Sequence, residues 1–356
     1  MNDTAAIGID LGGTKTEVLL LAPDGEILFR KRQATPRNDG YEAMLQSVAD
    51  LVRQAAGTLW GDMRYTIGIG IPGSLDERTG LVRNANSTCL IGHPLKHDFE
   101  QLLGRPVTVR NDADCFTLAE CRAGAGRGYG LVFGVIMGTG CGGGICIDGV
   151  VREGPHRIAG EWGHVCMVPH GAECYCGNRG CIETLISGSG VEASYLRSHG
   201  HPLGMAEIVS HARSGDNGCR EIFDRFLDDF GRCLGGLISI LDPDAIVLGG
   251  GLSNIDELYT IGIDRVRRYA FHDDLRTPIM KNSLGDSAGV FGAAWLNPDI
   301  PLGGAQLLHE PCRTHSGILP PGFLANSPAI ASSTGQQATR NMSRQHSCPN
   351  GKSGLQ

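Results

Sequence analysis

Three cysteines fall within eight residues in the stretch "CYCGNRGCIE" (residues 174–183), with "EWGH" (residues 161–164) just upstream. The spacing C-x-C-x4-C lets three thiolates turn onto one ion, and Gly177 and Gly180 permit the sharp turn this needs. His164, His170 or Cys166 can each supply a fourth donor. A disulfide would strand one of the three sulfurs, and the redox spacing C-x-x-C is absent from the stretch. The residues therefore read as a metal site. A closed site of four protein donors leaves no position for water or substrate, so the ion is structural zinc.

A second kind of chemistry is written in three glycine loops, each following an apolar run: "IDLGGTK", "IMGTGCGGG" and "IVLGGGL". Consecutive glycines leave backbone N–H groups free to converge on an anion. In the first loop, Gly12, Gly13 and Lys15 surround a polyphosphate-sized turn. Asp10 offers a carboxylate for Mg2+ through water, and Thr14 offers a hydroxyl. Gly138, Thr139 and Gly140 grip the phosphates from the other side, and Gly249, Gly250 and Gly251 leave a flat surface for a nucleotide base. Gly138, Gly140 and Gly143 also match G-x-G-x-x-G, with Glu161 as a ribose-binding acid. That reading requires a helix on the third glycine, whereas "GGICIDGVVR" continues as a hairpin. G-x-x-x-x-G-K-[ST] is absent too, so this is no P-loop enzyme.

The elements that position these loops follow from the pattern of apolar residues. "AAIGIDLGGTKTEVLLLAPDGEILFRKRQATP" predicts an antiparallel meander, and "GLVFGVIMGTGCGGGICIDGVVR" predicts a second that echoes it, glycine loop included. Helical spacing covers residues 40–57, 95–103, 184–197, 204–214, 217–241 and 255–269, and "SAGVFGAAWL" closes the series. Buried strands are expected at "YTIGIGIPGS", "PVTVR", "DAIVLGGG" and near 278–281. Asp112 or its neighbour caps a helix that runs to about Gly124. From about Pro298 the texture becomes rich in Ser, Pro, Gly, Asn and Gln without a period, which predicts a disordered tail over 298–356.

Composition narrows the function further. A net charge of −7 without a basic patch argues against nucleic-acid binding. No apolar run approaches the ~18 residues of a membrane span. The first residues carry no basic and apolar leader pattern, so the expected location is the cytoplasm. Thirteen cysteines, most of them single on apolar faces, suit a reducing compartment.

Taken together, "IGIDLGGTKTE", "GIGIPGS", "NANST", "NDAD", "GTGCGGG", "AGEWGH", "CYCGNRGCIE" and "DAIVLGGG" resemble the ROK family of sugar kinases and sugar-responsive repressors. The resemblance runs from about residue 5 to 297 and is greatest to bacterial fructokinases of the manno(fructo)kinase type. It implies an α/β protein with two actin-like (ribonuclease H-like) domains around a central cleft. The small domain would comprise residues 1–110 with 286–297, and the larger one 111–285, including a zinc-pinned loop at 161–183. It also implies that His164 is the fourth zinc ligand, and that Asn86, Asn111, Glu161, His164 and Glu183 bind sugar hydroxyls beside Asp112 as general base. The cofactors would be ATP, Mg2+ and structural Zn2+. The reaction would be phosphorylation of a hexose at O6, fructose first and mannose second; glucokinase, mannokinase and N-acetylhexosamine kinase are the enzymatic alternatives. A homodimer is compatible with this reading. A repressor of this family needs a winged helix-turn-helix ahead of its body, and the first glycine loop here begins within fifteen residues of the start. Asp114 departs from the pattern, standing where relatives often carry Asn.

Overall fold

The computed structural model describes residues 4–297 apart from Asp62, Glu77, Asn86 and Ser87. The expected tail at 298–356 and the expected sugar ligand Asn86 thus lie outside the described residues.

Two five-stranded sheets carry the fold, and both follow one plan. In the first, β1 (Thr4–Leu11), β2 (Lys15–Leu21) and β3 (Ile27–Ala34) form the antiparallel meander. Crossover through helix α1 (Tyr41–Ala56) brings β4 (Arg64–Ile71) parallel to β1. A small hairpin of β5 (Ser74–Leu75) and β6 (Val82–Arg83) and helix α2 (Leu95–Leu103) precede β7 (Thr108–Asn111), which adds parallel to β4. β1 is covered on both faces and so is apolar almost throughout, "TAAIGIDL". Helix α1 buries Met44, Leu45, Val48, Leu51, Val52 and Ala55, one stripe at helical spacing, against this sheet's core.

Helix α3 (Asp112–Ala123) leads to the second sheet. There β8 (Leu131–Met137), β9 (Cys141–Ile147) and β10 (Val150–Val151) repeat the meander. The chain then runs through α4 (Glu183–Ile186), α5 (Gly188–His199), α6 (Met205–Ser214) and α7 (Asn217–Leu241). β11 (Ala245–Gly249) joins parallel to β8, and after α8 (Ile261–Tyr269), β12 (Ile279–Lys281) joins parallel to β11. The echo between the two meanders is thus an equivalence of whole sheets.

Two segments differ from expectation. The helix foreseen over 184–197 breaks at Ser187, a buried residue whose hydroxyl donates to the Glu183 carbonyl (2.7 Å) and accepts from Gly190 N–H (3.0 Å). That side chain ends one helix and caps the next. The stretch 255–269 opens in 3-10 turns and becomes α-helical only at Ile261.

The last helix, α9 (Ala288–Ala294), packs on β1 and β4, while α3 packs on β8 and β9, and the two helices pack on each other. A third apolar cluster, with Leu19, Phe116, Leu118, Val247, Val290 and Phe291, fills this layer between the sheets. The approach is close enough to require missing side chains. A Cβ on Gly8 or Gly68 would strike the backbone of α9, and one on Gly292 would strike the Cys115 carbonyl of α3.

Candidate active site

The first glycine loop is the β1–β2 turn. Gly12 N–H donates to the Lys15 carbonyl (2.9 Å), and the Thr35 hydroxyl donates to the Gly12 carbonyl (2.8 Å). These bonds fix the loop before any ligand arrives. Beside it lies a cavity of about 430 Å³ lined by Asp10, Gly12, Thr14, Lys15, Asp112, Gly250 and Gly251, with Asn254 and Asn282 at its border. Gly13 faces instead a neighbouring cleft of about 730 Å³, opposite Thr139 and Gly140.

Of the third loop, Gly250 and Gly251 reach the first cavity, and Gly249 does not line it. Gly249 is buried, and a Cβ there would meet the Phe116 ring, so this glycine serves helix–sheet packing. The middle loop is tied to α4 and α5: Gly188 N–H donates to the Gly138 carbonyl (2.8 Å), the Ser189 hydroxyl to the Thr139 carbonyl (2.7 Å), and Cys141 N–H to Glu183 Oε2 (3.2 Å). Gly138, Thr139 and Gly140 line a second cavity of about 240 Å³ together with Asn111, Glu161, His164 and Glu183.

Asp112 lines both the first and the second cavity. It is the first residue of α3, set there by its neighbour: the Asn111 side chain accepts from Ala113 N–H (2.8 Å) as the helix cap and donates to the Gly73 carbonyl (3.0 Å). Asn111 therefore spends much of its hydrogen-bonding capacity on the backbone. Burial lifts the Asp112 carboxyl to about 6, with the negative charge of Glu161 adding to the rise. Burial likewise lifts Asp10 to about 7, helped by Asp112 and Glu17. Several carboxylates face one cavity, an arrangement that favours a bound cation. Asp10 also leans on the first turn of α9, where a Cβ on Gly289 would stand 2.8 Å from its Oδ2.

The cysteine loop brings four donors together. His164 Nδ1 and the sulfurs of Cys174, Cys176 and Cys181 lie within 4.8 Å of one another. Cys174 Sγ is 3.6 Å from His164 Nδ1, and Cys176 Sγ is 3.7 Å from Cys181 Sγ. Tetrahedral donors at Zn–S of about 2.3 Å and Zn–N of about 2.0 Å stand roughly 3.5–3.8 Å apart, so the set fits zinc. The rivals Cys166 and His170 are outside this group. Cys166 instead sits across an antiparallel bridge from Cys181, which sews the loop shut.

One contact was not foreseeable from the motif. A metal-bound His164 leaves its second nitrogen for a sugar hydroxyl in the simplest picture, yet Nε2 here hydrogen-bonds the Tyr175 hydroxyl at 3.1 Å. Tyr175 also lines the second cavity. Only its place between two metal-type cysteines hinted at such proximity. Asp114 lines neither of these cavities, is buried, and its Oδ1 has no hydrogen-bond partner among the described residues.

With this geometry in hand, comparison with known proteins is decisive for the family. The description of the ROK family matches residues 6–300. The chain belongs to the ROK family. An N-acetyl-D-glucosamine kinase of Pectobacterium carotovorum subsp. carotovorum (strain PC1) is 39% identical over 301 residues, covering 82% of this chain and 98% of that protein. Among solved ROK structures, a ROK hexokinase from Thermus thermophilus superposes with a TM-score of 0.74 at 30% identity, over 82% of this chain and 97% of that one. A ROK family glucokinase from Streptomyces griseus, in complex with glucose and AMPPNP, gives a TM-score of 0.65 at 31% identity, over 82% and 98%.

Proposed function

We propose that this ROK protein is an ATP-dependent sugar kinase that phosphorylates a hexose at O6, with N-acetyl-D-glucosamine as its substrate. The observation that carries the kinase reading is the position of Asp112, whose carboxylate borders both the glycine-loop cavity and the cavity lined by Asn111, Glu161 and Glu183. A base at that junction is suited to take the proton from a sugar hydroxyl as its oxygen attacks the γ-phosphorus, with the bond to ADP breaking behind it. Lys15, Thr14 and the N–H groups of the first glycine loop serve the phosphates, and Gly250 and Gly251 the base. Asp10 is the residue to hold Mg2+, which when bound neutralises phosphate charge. His164, Cys174, Cys176 and Cys181 would hold structural zinc and so keep Glu161, Glu183 and Tyr175 in place. On this reading the catalytic cleft separates residues 1–110 with 286–297 from residues 111–285.

The choice of sugar rests on the relatives. The resemblance to fructokinases rests on short motifs, whereas the likeness to an N-acetyl-D-glucosamine kinase spans 301 residues. A coupled ADP-release assay over N-acetylglucosamine, N-acetylmannosamine, glucose, mannose and fructose tests it. N-acetylglucosamine is expected to show the highest kcat/KM. Fructose ahead by tenfold would restore the motif-based reading, and no ADP release with any sugar would end the kinase reading.

A further inference from the structure

The register of β2 against β3 sets Glu17 directly opposite Arg32, with Arg30 two residues away on the same face of the strand. Both guanidiniums converge on this one carboxylate, which is only 4% exposed. Arg30 Nε donates to Glu17 Oε1 at 2.7 Å, and Arg32 donates to Oε2 through Nε (3.0 Å) and Nη2 (2.5 Å). The Ser287 hydroxyl accepts from Arg32 Nη2 at 3.2 Å and from Arg30 as well. Glu17 is shared by the two arginines, Asp286 and Asp10 add their negative fields at Arg32, and the two arginines differ in what they face. Arg32 lines the 430 Å³ cavity beside Asp10 and Lys15, and Arg30 does not. The Nη1 of Arg32 makes no hydrogen bond among the described residues. Lys15 is the only other basic side chain among the described residues that line this cavity.

We propose that Arg32 contacts the polyphosphate of the nucleotide and that Glu17 is its positioning residue. This rests on the kinase reading and adds a residue to it. A guanidinium held flat by a carboxylate on one edge presents its remaining N–H groups in a fixed fork, the geometry that suits phosphate oxygens. Little side-chain freedom is left to lose on binding.

The same ion pairs could simply fasten β3 to the sheet, and Arg30 separates the two roles because it makes the same kind of bond without lining the cavity. The test is titration calorimetry of the full chain with AMPPNP and Mg2+, alongside KM for ATP and for the preferred sugar. Arg32→Gln is expected to weaken AMPPNP binding and raise KM for ATP by roughly 10–100-fold, the size of a lost charged hydrogen bond, with KM for sugar unchanged. Arg32→Lys, which keeps the charge and is the milder test of folding, is expected to fall between Arg32→Gln and wild type. Arg30→Gln is expected to stay close to wild type. Wild-type affinity in Arg32→Gln, or equal losses in Arg30→Gln and Arg32→Gln, would overturn the proposal. A wild-type chain that binds no AMPPNP would remove the kinase reading and the proposal with it.

Discussion

On the proposed mechanism two demands meet at Asp112, because a general base must be ionised to accept a proton and burial opposes that ionisation. The carboxyl stands at about 6, above its ordinary 3.8, chiefly through burial. With Asp112 as the proposed base only the deprotonated form would be active, so kcat/KM should rise with pH, about tenfold per unit below 6, and level off above it. Asp112→Asn should lower kcat by roughly 10²–10⁴ with sugar KM little changed, and the profile should lose this limb. Steady-state kinetics of wild type and variant between pH 5 and 8 check both. Asp114, two residues on, makes the opposite use of burial. Desolvation lifts it to about 8, so near neutrality it holds its proton and has the shape and hydrogen-bonding character of an asparagine. Its folded value lies above its unfolded one, so its contribution to stability is full below about 4 and is lost as pH rises through about 8. Asp114→Asn escapes that loss. The variant should melt higher than wild type at pH 8, with the gap closing toward pH 5, as thermal denaturation at several pH values would show.

At the scale of elements, the cysteine loop is held by short-range turns and two isolated bridges, Cys166 to Cys181 and Glu173 to Arg179, so on the proposed reading a zinc ion would add its main internal fastening. Purified protein should carry one zinc per chain by elemental analysis. Cys176→Ala should abolish that zinc and raise sugar KM at least tenfold, since Glu161, His164 and Glu183 line the same cavity, while AMPPNP affinity should hold. Unchanged sugar KM in a zinc-free variant would separate the loop from sugar binding. This loop was legible in the sequence because three of its donors, Cys174, Cys176 and Cys181, lie within eight residues of one another. The meanders were legible for a similar reason: local alternation and glycine turns mark them before any packing is known. What stayed hidden depends on how the chain folds back and packs. Tyr175 meets His164 only after the loop has folded back, Gly249 meets Phe116 only when α3 packs on the second sheet, and Arg32 reaches its cavity through strand register.

For the whole molecule, the repeated sheet plan and the two helices packed between the sheets decide what can change without damage. Gly292 lies where α9 crosses α3, and any Cβ there would overlap the Cys115 carbonyl. Gly292→Ala should therefore destabilise by about 1–3 kcal/mol, the usual cost of overpacking, measurable by urea denaturation, and more than Gly236→Ala, which meets open space on α7. Helix α9 has a further consequence. It covers β1 and β4, yet it is encoded more than two hundred residues after them. At elongation rates of about 5–20 residues per second, the first sheet must wait on the order of ten seconds or more for its missing helix. During translation its underside, with Gly8 and Gly68 open, is a surface that chaperones would find and that stalled ribosomes would leave exposed.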